Sequence, residues 1–167
     1  MRWLRLAMVI AGLVVAGHGW VTNDTNFRRS DGQALSGPPR WNPPPRRDTL
    51  AAEFMLCDGP VRSNCVVDGD TFWFRSVKIR IADIDAPEIS HPHCQREKKF
   101  GELARDRLLT MLDGKTFSLT AGKRDEDRYG RRLRTVWRSG KSLGDQLVRE
   151  GLARHWNAPD IDWCDGS

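Results

Sequence analysis

The chain has 167 residues, 39% of them hydrophobic and 29% charged, with a formal net charge of +5. That leaves room for one domain, and four cysteines are too sparse to be the whole framework of a disulfide-built fold. Residues 1–51 hold seven arginines against three aspartates, +4 of the net +5, so the basic balance belongs mostly to the leading segment and carries no inference of nucleic-acid binding.

In that leading segment Arg2 and Arg5 precede an apolar run from Leu6 to Gly17. As a helix this run would span roughly 18 Å, short of the ~30 Å hydrocarbon core. Residues 1–20 are therefore expected to be a signal peptide cut near Gly17–Gly19, or an uncleaved signal anchor that tethers the protein to a membrane. Both versions imply export, to the periplasm or the medium. Residues 21–50 are expected to be a Pro/Arg-rich disordered linker, because GPPRWNPPPRRDT denies helix and ladder bonds and favours extended polyproline II. Residues 51–167 are left as one domain, with no internal repeat.

Glu53–Cys57 and Val61–Val67 read as two short strands flanking Asp58-Gly59-Pro60. A hairpin there would set Cys57 opposite Cys65, and in an exported protein the two would form a disulfide. Next comes VVDGDTFWFRSVKIRIADIDAPE, residues 66–88. Its runs Thr71–Arg75 and Val77–Ile84 are rich in Phe, Trp, Val and Ile and meet around Ser76, which permits only an antiparallel hairpin. Folding there sets Asp70 opposite roughly residue 82. Val77, Ile79 and Ile81 share one face, so Arg80 points to the other. Asp70, Asp83, Asp85 and Arg80 thus converge at one end of the hairpin, and Pro87 holds Glu88 within short reach. Crowded carboxylates repel, and a cation with an anionic substrate would relieve that repulsion.

ISHPHC follows. His91, His93 and Cys94 lack a fourth ligand at zinc spacing. Gln95–Leu112 is the clearest helix, with Phe100, Leu103, Ala104, Leu108, Met111 and Leu112 as its core stripe and Gly114 as its stop. Lys115–Thr120 and Arg132–Arg138 read as a strand pair joined by AGKRDEDRYGR. A short helix over Ser142–Glu150 ends at Gly151. The tail from Ala153 to Ser167 shows no period. Aperiodic residues at a terminus fray unless pinned, and a Cys94–Cys164 bridge would pin them. The pairings 57–94 with 65–164, and 57–164 with 65–94, remain open, as do four free thiols if the chain is not exported.

VVDGDTFWF, KIRIADIDAPE and DRYGRRL, in that order, resemble the three signatures of the staphylococcal nuclease (thermonuclease) family over about Asn64 to Ala153. The resemblance implies an α+β, mainly β fold: a five-stranded OB-type Greek-key barrel with about two helices, carrying a calcium-dependent phosphodiesterase. It implies that Asp70 and Asp85, with the Ala86 carbonyl, bind Ca2+, with Asp68 in a supporting position. Arg80 and Arg131 match the arginines that hold the scissile phosphate, Glu88 the base that activates water, and Tyr129 a tyrosine lining the nucleotide pocket. Asp83 is an added carboxylate, expected as a further outer group. The family's base-stacking tyrosines have no counterpart after Gly151-Leu152-Ala153, where His155 and Trp156 stand; Trp156 could stack a base. The long C-terminal helix of the staphylococcal enzyme is also missing. The expected substrates are single-stranded DNA and RNA, cut by a monomer without regard to the sugar. The alternative is a non-catalytic OB-fold module, tethered to a membrane, that binds single-stranded nucleic acid or protein.

Overall fold

The Thr71–Ile81 hairpin is the seat of the fold in the computed structural model, which describes residues 44–165. Strands β3 (Thr71–Phe74) and β4 (Val77–Ile81) pair antiparallel in the register Thr71↔Arg80 and Phe74↔Val77. The two-residue turn puts Arg75 and Ser76 at φ 50° and 63°, the left-handed pair whose twist matches a tight hairpin. Asp70 therefore faces Ile81, one residue short of the expected position, and the Ile81 N–H donates to the Asp70 carbonyl at 2.8 Å.

Beyond the hairpin, β4 runs parallel to β7 (Arg132–Arg138), and β7 runs antiparallel to β6 (Ser118–Glu126). On the other side, β3 pairs with β2 (Cys65–Val66), and β2 pairs with β1 (Met55–Leu56). A short β8 (Lys141–Ser142) joins β7. A separate two-stranded piece pairs β5 (Ile84–Asp85) with β9 (Arg154–His155). Among the described residues two helices, α1 (Gln95–Leu112) and α2 (Leu143–Arg149), complete the mainly β arrangement of an OB-type fold, with more and shorter strand segments than five. The core is aromatic at its centre, where Phe54, Phe72, Phe74 and Phe117 pack with ring centroids 5.2–6.2 Å apart. Ile79, Ile81, Leu108, Leu112, Val136 and Leu147 surround them.

Several expectations are corrected. β1 and β2 are parallel, not a hairpin, because residues 57–64 loop back so that Cys57 N–H reaches the Val66 carbonyl at 3.0 Å. The strand expected over Val77–Ile84 breaks after Ile81, where the chain turns at Ala82-Asp83 before β5. β6 starts at Ser118 and extends to Glu126, well past Thr120. Leu103 is 55% exposed and outside the core, whose α1 face instead uses the buried Gly101, Ala104, Leu108, Met111 and Leu112. The tail contributes β9. Residues 48–50, placed with the linker, join the fold: Leu50 bridges Phe117, and Asp48 accepts from Ser118 Oγ at 2.6 Å and Ser139 N–H at 2.7 Å. The expected leader and most of the expected linker lie outside the described residues.

Disulfides join Cys57 to Cys65 and Cys94 to Cys164. The second spans 70 residues and ties the start of α1 to the tail.

Candidate active site

Three elements meet at the hairpin's open end, and small residues let them. A Cβ on Gly69 would lie 2.5 Å from Ala104 Cβ and 2.7 Å from Ala86 Cβ, so the Asp68-Gly69-Asp70 turn sits directly against α1 and the residue after β5. On the same helix a Cβ on Gly101 would meet the Pro87 carbonyl at 2.7 Å and Ile89 at 2.8 Å. The loop bearing Glu88 therefore lies on the helix backbone, a closeness that only glycine permits.

Arg80 is the hub. It is 7% exposed, with Nη1 2.5 Å from Asp70 Oδ2 and Nη2 2.8 Å from Asp85 Oδ1. Nη1 also donates to the Ile81 and Ile84 carbonyls at 3.3 and 3.2 Å. The Ala86 N–H donates to Asp70 Oδ2 at 2.9 Å, which brings Asp70, Asp85 and Ala86 together. Asp68 accepts from the Asp70 N–H and shapes the turn. Burial pushes the Asp70 carboxyl up to about 7, even against the pull of Arg80. One guanidinium therefore does not compensate the buried carboxylate.

Glu88 is exposed at the loop surface. Partial desolvation, then the Asp70 and Asp85 charges, hold its carboxyl above the ordinary range. A cavity of about 410 Å³ is lined by Asp85, Ala86, Glu88, Glu97 and Arg154, with tail residues as its far wall.

Arg131 is fixed by its own loop. Asp127 accepts from the Tyr129 and Arg131 N–H groups at 2.9 and 3.0 Å, and from Arg131 Nε at 2.6 Å. Although burial opposes it, this set of donors, the Arg131 N–H first, holds Asp127 below the usual carboxylate range. Gly130, at φ 73°, makes the turn possible. Arg80, Arg131, Tyr129 and Trp156 all line a second cavity of about 570 Å³. Tyr129 is 67% exposed, and Trp156 is 54% exposed with its ring centroid 5.4 Å from Arg80 Cζ. Asp85, on the wall of one cavity, is thus ion-paired to Arg80, on the wall of the other.

Asp83 does not join this group. Its Oδ2 accepts from Ser142 Oγ at 2.9 Å, both its oxygens lie against Gly144, and burial raises its pKa. It serves the start of α2.

Two further residues stand at the site. Arg154 lies opposite Asp85 in the β5–β9 pair and donates to Asp85 Oδ2 at 2.9 Å. Only pairing of the tail, invisible in an aperiodic stretch, could have exposed it. Glu97 is buried and accepts from the His93 N–H at 2.5 Å and the Glu88 N–H at 3.5 Å, and it stands three residues after the helix cap Cys94. With a cysteine at the cap and the bonds going to His93 and Glu88, this is not the Ser/Thr capping box, and no local motif marks it.

Among the described residues no three His, Cys, Asp or Glu side chains stand together as a metal cage. What Asp70, Asp85 and Ala86 can offer is oxygen alone, from two carboxylates and a carbonyl. That donor set, which includes the undercompensated buried carboxylate of Asp70, fits a hard divalent cation that fills its remaining positions with water and phosphate.

A family model described as "Staphylococcal nuclease homologue" matches residues 78–162. The chain is 33% identical over 106 residues to the "Probable staphylococcal-like nuclease CAN1" of Oryza sativa subsp. japonica, covering 64% of this chain and 29% of that protein. It is 30% identical over 122 residues to the "Thermonuclease" of Staphylococcus hyicus, covering 63% of this chain and 72% of that one. To the "Endonuclease YhcR" of Bacillus subtilis (strain 168) it is 35% identical over 99 residues, 53% of this chain and 8% of the other. The chain thus spans less than a third of the rice relative and most of the staphylococcal one.

Proposed function

Because the chain belongs to the staphylococcal nuclease family, we propose that it is a calcium-dependent nuclease that hydrolyses phosphodiester bonds of single-stranded DNA and RNA. The observation that carries this reading is Arg80: it bridges Asp70 and Asp85 and lines the same cavity as Arg131. Two guanidinium groups suited to bidentate phosphate contact then stand beside paired carboxylates.

Asp70, Asp85 and the Ala86 carbonyl would hold Ca2+, which when bound supplies positive charge at the phosphate oxygens. Arg80 and Arg131 grip those oxygens and bind them more tightly as charge builds at phosphorus. Glu88 takes a proton from the attacking water as the water oxygen bonds to phosphorus. The ester oxygen on the opposite side leaves with the bonding pair and is protonated by solvent. A carboxylate raised above its usual pKa is a stronger base for this step. Tyr129 and Trp156 offer ring faces to unstacked bases, which favours single strands. The two disulfides support an oxidising compartment, hence export.

The test is to incubate the purified full chain with single-stranded DNA and with RNA, in calcium and in excess chelator. Cleavage only with calcium is expected. Full activity in chelator would remove the metal from the reading, and binding without cleavage would favour a non-catalytic module.

A further inference from the structure

The cavity shared by Arg80 and Arg131 carries more positive charge than one scissile phosphate requires. Its walls also include Lys123, Arg124 and Arg128, against a single carboxylate, Asp127, already taken by Arg131. The structure sorts the cations of this region. Arg132 and Arg134 are pinned to Asp125, and Arg132 also to Glu126. Arg128 lies over the Tyr129 ring with Nη2 2.5 Å from the Tyr129 hydroxyl. Lys123 and Arg124 are exposed, and among the described residues their side chains have no carboxylate partner and no hydrogen bond. Three carboxylates follow immediately at Asp125, Glu126 and Asp127, and each pairs with another arginine.

A second observation concerns the backbone. The β6–β7 ladder is regular up to Ala121↔Arg134 and resumes only at Glu126↔Arg132. Four residues on β6, 122–125, thus stand where β7 has one, a bulge that swings Lys123 and Arg124 out of the ladder and onto the cavity wall. Gly122 sits at its base, where a Cβ would come within 3.4 Å of Ala82, another lining residue. Cations aimed at a cavity and left unpaired among available carboxylates are placed for an external anion.

We propose that Lys123 and Arg124 form a backbone subsite that binds the phosphates next to the scissile one. This rests on the phosphodiesterase reading for the position of the scissile phosphate. Neither residue acts on the reacting atoms.

The test is equilibrium binding of a fluorescein-labelled oligothymidylate of about ten nucleotides to the full chain, in chelator, over a salt series. Lys123→Gln/Arg124→Gln is compared with a charge-matched control, Lys99→Gln/Lys141→Gln, which removes two lysines lining neither cavity. The first variant is expected to bind about tenfold more weakly at low salt. Its slope of log affinity against log salt should be shallower by about 0.7–1.4, one to two phosphate contacts. The control should stay within about twofold of wild type. Wild-type affinity in the first variant, or an equal loss in the control, would overturn the subsite. If the binding contrast stands while wild type with calcium cleaves nothing, the nuclease reading fails and the subsite survives.

Discussion

Arg80 and Arg131 are assigned the same substrate, but their surroundings make them different residues. Arg80 is buried between two carboxylates, and among the described residues Asp70 has no other salt bridge. Removing one partner of a buried pair leaves an uncompensated charge, worth about 3–5 kcal/mol. Arg131 is partly exposed, and its partner Asp127 keeps two backbone donors without it. Arg80→Ala should therefore lose both stability and activity, whereas Arg131→Ala should lose roughly 10²-fold in turnover with an unchanged unfolding midpoint. Urea melts beside cleavage assays check both. Arg132→Ala is the internal control: its side chain points to Asp125 and Glu126 and should leave turnover near wild type. A dead Arg132→Ala with an active Arg131→Ala would put the arginine assignment one residue out of register.

The elements depend on long-range ties that hold helix to helix and tail to loop. Arg107 on α1 and Glu150 at the end of α2 form a two-pronged ion pair, both contacts 2.7 Å. The Arg107 hydrogen bonds lower the Glu150 pKa to about 2. A carboxylate whose pKa falls on folding stabilises the fold above its unfolded pKa, near 4.3, and loses that contribution as pH drops through about 2. The pair is about one-third exposed, so solvent screening limits it to about 0.5–1 kcal/mol. Glu150→Gln should be less stable than wild type by that amount at pH 7, with the gap closing toward pH 2; a gap constant with pH would mean the charge is not the cause. The Cys94–Cys164 bridge makes a larger contribution. It closes a 70-residue loop, for which chain entropy gives at most about 4 kcal/mol. The segment it holds walls the cavity that contains Glu88, and Trp163 packs on Phe100 of α1 with ring centroids 5.7 Å apart. Cys164→Ser should reduce cleavage under conditions where far-ultraviolet dichroism still reports a folded barrel. Simultaneous loss of both would make the bridge a general brace only.

At the scale of the whole molecule, what could be read from the sequence was what local chemistry encodes. The hairpin at Ser76, the helix Gln95–Leu112 and the end of α2 at Gly151 follow from alternation, helical period and capping, and all three stand in the structure. The approach of Asp70 to Arg80 was legible for the same reason, since one tight turn sets the register; Asp85 lies beyond the break after Ile81 and joins them from β5. Partners chosen by distant segments were not legible. β1 pairs parallel to β2 because residues 57–64 carry the chain back alongside β1 before β2 begins, and Arg154 reaches Asp85 because the tail adds a strand to β5. Asp83, next to the site in sequence, turns away because the strand breaks after Ile81 and Ser142 captures its carboxylate. The proposed hydrolytic centre joins these separately placed parts: Glu88 moves the proton, and the others hold metal and phosphate. Single-turnover cleavage of a labelled single-stranded DNA by the Glu88→Gln full chain in saturating calcium tests it most directly, with binding to the same strand measured in parallel. The rate is expected to fall by on the order of 10²–10⁴-fold with affinity within a few-fold of wild type; a wild-type rate, or a loss confined to binding, would overturn the proposed role of Glu88.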